Sequence, residues 1–190
     1  MPAARRATEG HDRAGDPAPW LKPSVRQDGI HYYGTALNHS RVRHTGLPAD
    51  FLAPPGAQLN DLYLIVHSVQ GLKPGAYFFR REQHSVELLK EGGFRAEAHH
   101  LGLDQELPAD ACVDIFFVAD LERILEQYGN RGYRAVQLEA GAIGGRMYLA
   151  VYAQRLGATG LTFFDGDVIN FFSPRTKGKS AIFCSRLARR

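Results

Sequence analysis

Five consecutive apolar residues, Leu62-Tyr63-Leu64-Ile65-Val66, open the clearly patterned part of the chain. So short a run, with no alternation, predicts a strand covered on both faces. Gly71-Leu72-Lys73-Pro74-Gly75 follows, with Pro and Gly where a turn tolerates them. Residues 76–79 and 85–89 read as two further strands. The gaps between them are too short for a crossover helix, which makes this an antiparallel meander. Residues 94–103 read as a short helix and 112–118 as another apolar strand. Asp120 is the expected N-cap of a helix through Gln127.

The longest helix is expected over 132–156, stopped by Gly157, because Val136, Ala140, Ile143, Met147 and Val151 recur at spacings of three and four. Gly141, Gly144 and Gly145 lie inside it. Each costs a helix interior about 1 kcal/mol relative to Ala. Close approach of another backbone or of a flat ligand would offset that cost. A strand over 159–164, a turn and short helix over 165–172, and a last strand over 180–187 complete the reading. The fold class is α+β, with a mostly antiparallel central sheet flanked by helices.

Composition divides the chain. Seven of its ten prolines lie before residue 56, and residues 1–50 carry seven Lys/Arg and five Asp/Glu with no helical or strand period. Residues 1–48 are therefore read as an irregular or weakly ordered N-terminal arm, and 49–190 as the folded domain. At 190 residues and net charge +3 the chain lacks the charge excess of a dedicated nucleic-acid binder. No apolar run approaches the roughly 18 residues of a membrane span, and no signal peptide is legible. Cys112 and Cys184 are the only cysteines, which excludes a disulfide scaffold and a CxxC zinc site and points to a reduced, cytoplasmic setting.

Common catalytic motifs are missing: there is no GxSxG, HExxH, Walker lysine loop or GxGxxG after a strand. His99 and His100 are adjacent, so on a helix they point to different faces, and no metal site is expected from them. Two glycine-bearing turns remain, Ala53-Pro54-Pro55-Gly56-Ala57-Gln58 and Gly157-Ala158-Thr159-Gly160-Leu161. Each would put backbone N–H groups at a sheet edge, where they could meet a flat, electron-rich ligand. Ordinary turns are the alternative.

The order of these features carries a resemblance. Tyr128-Gly129-Asn130-Arg131-Gly132-Tyr133-Arg134-Ala135-Val136-Gln137-Leu138-Glu139-Ala140-Gly141 is similar to the YGxRxYRxxxLEAG helix opening of the SagB/McbC-type flavin dehydrogenases, a branch of the nitroreductase superfamily. Tyr148-Leu149-Ala150, Leu156-Gly157-Ala158-Thr159-Gly160 and the Pro-Gly-Ala turn before Leu62 fit the same pattern, over residues 53–190. The match looks most like one half of a tandem-domain member.

The resemblance implies a two-electron oxidoreductase with FMN at the interface of a homodimer, or of a pair with another such domain. NAD(P)H is a possible electron donor. The long helix would be the interface helix, with Gly141 and Gly145 as its small-residue face. Pro55, Gly56 and Ala57 would run along the isoalloxazine, and Thr159 and Gly160 would approach flavin N5 and O4. The phosphate clamp has its nearest match in Lys22-Pro23-Ser24-Val25-Arg26, with Lys for the first Arg. Ser24 and Arg26 would serve there, unless this is only a basic triplet in the arm. Arg186 or Arg189 would face the phosphate, or else form a solvated basic tail.

Tyr128 is the candidate catalytic hydrogen-bond donor, or else a core aromatic. Azoline-oxidising members carry Lys-Tyr where this chain has Gln127-Tyr128, and Gln cannot serve as a base. Glu139 could act as a base or pair with Arg134 or Arg131 as a structural salt bridge, and the structural role is preferred. A degenerate, non-catalytic half that pairs with another domain and does not bind flavin alone is the competing reading.

Overall fold

The computed structural model describes residues 58–153 apart from Gln70 and His84, residues 156–188 together with the backbone of Arg189, and two short N-terminal strands as backbone. Those two are β1 (Ser24–Arg26) and β2 (Gly29–His31), paired antiparallel with Val25 opposite Ile30. They form a hairpin that the sequence pattern did not announce.

Six strands form the main sheet: β3 (Asp61–Val66), β4 (Gly75–Arg80), β5 (Ser85–Glu91), β6 (Val113–Ala119), β7 (Leu156–Leu161) and β8 (Ser180–Arg189). Their order is β5-β4-β3-β6-β8-β7, and every neighbouring pair is antiparallel. The expected meander is β3-β4-β5. The last strand does not extend an edge; it inserts between β6 and β7.

Helices cover both faces, which is why β3 is apolar at every position from Leu62 to Val66. Leu62, Leu64 and Val66 point to a layer shared with α4 (Asn130–Ala153), through Ala140, Ile143, Met147 and Val151. Tyr63 and Ile65 point the other way, to α1 (Arg95–Leu101) and α5 (Asp165–Phe172), through Ala98, Leu101, Val168 and Phe172. A short α2 (Glu106–Ala109), which the pattern did not predict, folds back on α1. A Cβ on Gly102 would sit 2.4 Å from Pro108 Cγ, so only glycine fits this hairpin.

α3 (Leu121–Tyr128) begins where expected: the Asp120 carboxylate accepts the Arg123 N–H at 3.2 Å. It ends at Gly129, which has φ +58°, and α4 restarts at once. The corner is tight, because a Cβ on Gly132 would stand 2.8 Å from the Ile124 side chain and carbonyl.

The chain's second half corrects two boundaries. α4 ends by Ala153 rather than at residue 156, and β7 begins at Leu156 rather than 159. Leu156 is buried, so its apolar character prolonged the helical period, but it lies opposite Arg189 in the β-ladder. The α4 glycines also divide by role. Gly144 packs on Phe183, whose ring would lie 2.9 Å from an added Cβ. Gly141 and Gly145 have nothing among the described residues within 4 Å of that position.

Candidate functional site

The conformational anchor of this region is Glu139 on the inner face of α4. Its carboxylate is buried, and Oε2 accepts the Leu59 N–H at 2.9 Å, the Asn60 N–H at 2.8 Å and Asn60 Nδ2 at 2.8 Å. Asn60 Nδ2 also donates to the Val136 carbonyl at 3.0 Å. Arg81 closes the cluster: Nη1 lies 3.7 Å from Glu139 Oε1, and Nη2 donates to the Asn60 carbonyl. Burial pulls the Arg81 pKa down and Glu139 opposes that pull. Glu139 therefore does have a structural role, but its cation is Arg81 rather than Arg134 or Arg131. A reading confined to the helix could not see a partner in the turn just past β4.

This knot fixes the entry to β3, immediately after the Pro55-Gly56-Ala57 segment in sequence. Pro55, Gly56 and Ala57 themselves lie outside the described residues. Tyr128 belongs to the same corner. Half-buried at the end of α3, it packs against the cluster of Leu59, Ile124, Ala135 and Val136.

Thr159 and Gly160 stand elsewhere. They lie within edge strand β7, opposite Arg186 and Ser185, and not in a turn. Two glycines and no proline made 157–161 look like a turn, but the ladder to β8 holds it extended. An edge strand still turns alternate backbone N–H groups away from its neighbour, so donors at this edge survive the correction. The chain leaves the ladder only at Thr162 to Phe164, where the Phe164 N–H donates to the Leu101 carbonyl at 3.0 Å. Gly160 is confined: an added Cβ would lie 3.2 Å from both Tyr148 Oη and Phe183.

The Glu139–Asn60 knot and the Thr159–Gly160 pair are not adjacent in one chain. Thr159 aligns through Arg186 and Asp114 with Ile65, so three strand spacings, about 14 Å, separate β7 from β3. The knot at Asn60 lies just before β3, five residues from Ile65 and so about 17 Å further along the strand direction.

Of the cations expected at a phosphate, Arg186 is already engaged. Its Nη1 donates to the Leu107 carbonyl at 3.0 Å, and it faces Asp114 across the ladder. Ser24 and Arg26 lie on β1, and Arg189 ends β8 opposite Leu156, but the side chains of all three are outside the described residues. His99 and His100 face surface acids: Asp104 Oδ1 lies 3.0 Å from His100 and 3.8 Å from His99, Asp167 lies 3.2 Å from His100, and Glu106 lies 3.7 Å from His99. No described helix is long and apolar enough to cross a membrane.

One surface feature bears on partners. Leu138, Gly141, Gly145, Leu149 and Tyr152 follow one another at helical spacing on the outer side of α4, with Leu138 62% and Leu149 73% exposed. Such an apolar, small-residue stripe suits close packing against a second surface.

Known proteins agree with this architecture. A crystal structure of a nitroreductase-type protein from Anabaena variabilis superposes with a TM-score of 0.66 at 34% identity, over 69% of this chain and 27% of that one. A Ralstonia eutropha structure of the same type gives a TM-score of 0.59 at 19% identity, covering 82% and 67%. The Escherichia coli microcin synthetase McbBCD complex gives 0.60 at 14%, covering 77% and 59%, a likeness of fold alone. A nitroreductase-type protein of Methanocaldococcus jannaschii is 28% identical over 109 residues, 57% of this chain and 55% of its own length. The chain thus spans about half the length of that curated relative. The Nitroreductase family model matches residues 53–173, well over half of the sequence, and the chain belongs to the nitroreductase family.

Proposed function

We propose that this chain is an FMN-dependent oxidoreductase of the nitroreductase type, closest in character to the SagB/McbC branch, and that it works as a pair: a homodimer or a complex with a second nitroreductase-type domain. The observation that carries the pairing is the outer stripe of α4, where Gly141 and Gly145 leave open space between exposed Leu138, Leu149 and Tyr152. The distance between the β3 entry and β7 supports it as well. A second subunit docked on α4 could complete with its own residues a pocket that one chain leaves divided.

The residues present fit a flavin in kind. Thr159 and the free side of β7 offer hydroxyl and backbone donors beside the α4 stripe. The Glu139–Asn60 knot would hold the chain leaving Pro55-Gly56-Ala57, and Ser24, Arg26 and Arg189 would supply the phosphate end. Bound FMN would bring two-electron hydride chemistry, with NAD(P)H as donor. The protein's part is to orient the ring, exclude water and donate hydrogen bonds to the reduced form, with Tyr128 as a donor at the α3–α4 corner. The SagB/McbC assignment rests on the Tyr128 to Gly141 run.

The test is the visible spectrum of the purified chain after FMN addition and desalting, with its mass in solution. Retained flavin at one per chain in a dimer, bleached by NAD(P)H, is the expected result. Gln127 favours a second reading: it is exposed and cannot take a proton, so the chain could be a non-catalytic half. Protein that stays colourless, and gains flavin only when a second nitroreductase-type domain is added, would establish that reading instead.

A further inference from the structure

Behind α1 and α2 an otherwise apolar layer holds a polar island. Asp114 on β6 and His67, one residue past β3, are both fully buried, with His67 Nε2 2.9 Å from Asp114 Oδ2. The ladder sets Arg186 opposite Asp114 on the same face of the sheet. Arg186 donates to the Leu107 carbonyl and Arg95 to the Ala109 carbonyl, so two cations facing Asp114 also grip α2. Cys184 is the other titratable group against Asp114, and burial keeps its thiol protonated.

Three buried atoms of the island have no hydrogen-bond partner among the described residues: His67 Nδ1, Asp114 Oδ1 and Arg186 Nε. Moving the shared proton does not cure this. With the proton on His67 Nε2, Asp114 is a buried carboxylate with one oxygen unpaired. With it on Asp114, neutral His67 must carry its own proton on unpaired Nδ1. Water solvates a carboxylate far better than a carboxylic acid, so exposing the island gains most when Asp114 is ionised.

We propose that the α1–α2 hairpin is a cover whose closure Asp114 controls: protonated Asp114 locks it onto the sheet, and ionised Asp114 loosens it. Burial pushes the Asp114 carboxyl up to about 6, against the opposing pull of His67, Arg186 and Arg95. The same cover supplies the Leu101 carbonyl that holds the Phe164 N–H and the His100 that meets Asp167. Its loosening therefore reaches the segment where the chain leaves β7. The inference stands whether or not flavin binds.

Hydrogen exchange on the full chain between pH 5 and pH 7.5, corrected for intrinsic rates, tests it. A carboxyl that titrates near 6 when covered and near 3.8 when open raises the opening equilibrium about tenfold from pH 5 to pH 7. Peptides from 95–109 should show that loss of protection, while peptides from β3 and β6 should not. Asp114→Asn should remove the pH dependence and keep the cover closed. Protection in 95–109 that is flat with pH, that falls together with the sheet, or that falls equally in Asp114→Asn would overturn the proposal. Should Asp114→Asn fail to fold, the contrast between cover and sheet in the natural chain decides alone.

Discussion

Glu139 Oε2 holds Asn60 by both its backbone N–H and its side-chain amide, each at 2.8 Å, across 79 positions of sequence. One carboxylate thus joins the middle of α4 to the start of the central strand. Removing it strands three buried donors and leaves buried Arg81 with only the weaker pull of Asp61. Glu139→Ala should destabilise the fold by about 3–5 kcal/mol, the range for breaking a buried charged cluster. Glu139→Gln keeps one acceptor but turns an amide toward Arg81, and should cost about 1–2 kcal/mol. Urea midpoints that left both variants at the natural value would show that the knot contributes nothing.

The α4 glycines give a prediction of opposite signs. Gly144→Ala must displace the Phe183 ring, since its Cβ would lie 2.9 Å away, and should lower stability by about 1–3 kcal/mol. Gly141→Ala and Gly145→Ala meet nothing among the described residues and should raise the stability of the isolated subunit by up to about 1 kcal/mol each through helix propensity. If a second subunit packs on that face, the same two changes should weaken association. Thermal unfolding at low concentration and sedimentation by ultracentrifugation separate the two effects, and unchanged association would argue against this stripe as an interface.

What the sequence revealed and what it hid follow one physical division. Elements with a period or a continuous apolar run were legible: β3, β4, β5, β6, α3 and the body of α4 fall within a few residues of expectation. Long-range polar contacts were not. Glu139 could be assigned a structural pair, but nothing local selects Arg81 over Arg134. Asp114 gave no signal either, because a single carboxylate in an apolar strand does not reveal the histidine and arginine that flank it. β7 was misplaced because its glycines suggest a turn when the β8 partner that holds them extended is still unknown. The role of Glu139 at the β3 entry was within reach, since a carboxylate on the buried side of an amphipathic helix must find partners.

His100 ties α1 to α5, and its pKa is raised by hydrogen bonds to Asp104 first and Asp167 second. A histidine held above its ordinary 6.5 stabilises the folded state fully below that pH, and the contribution is lost as pH rises through the higher folded value. His100→Gln should therefore lower Tm more at pH 6 than at pH 8.5. An equal gap at the two pH values would mean that the bridge to Asp167 carries no charge-dependent stability.

Gly160 faces Tyr148 Oη and Phe183, each 3.2 Å from where a Cβ would stand. That spacing is tighter than ordinary contact but close enough to relieve if one neighbour yields. Gly160→Ala should cost about 1–2 kcal/mol by overpacking between α4 and the sheet. Tyr148→Phe removes the hydroxyl and with it one of the two close contacts. The double variant should accordingly recover part of that cost, with a coupling of about 0.5–1 kcal/mol in a double-mutant cycle. Additive effects would place the whole strain on Phe183. In that case Phe183→Leu, which retains apolar bulk but no ring, should rescue Gly160→Ala where Tyr148→Phe does not.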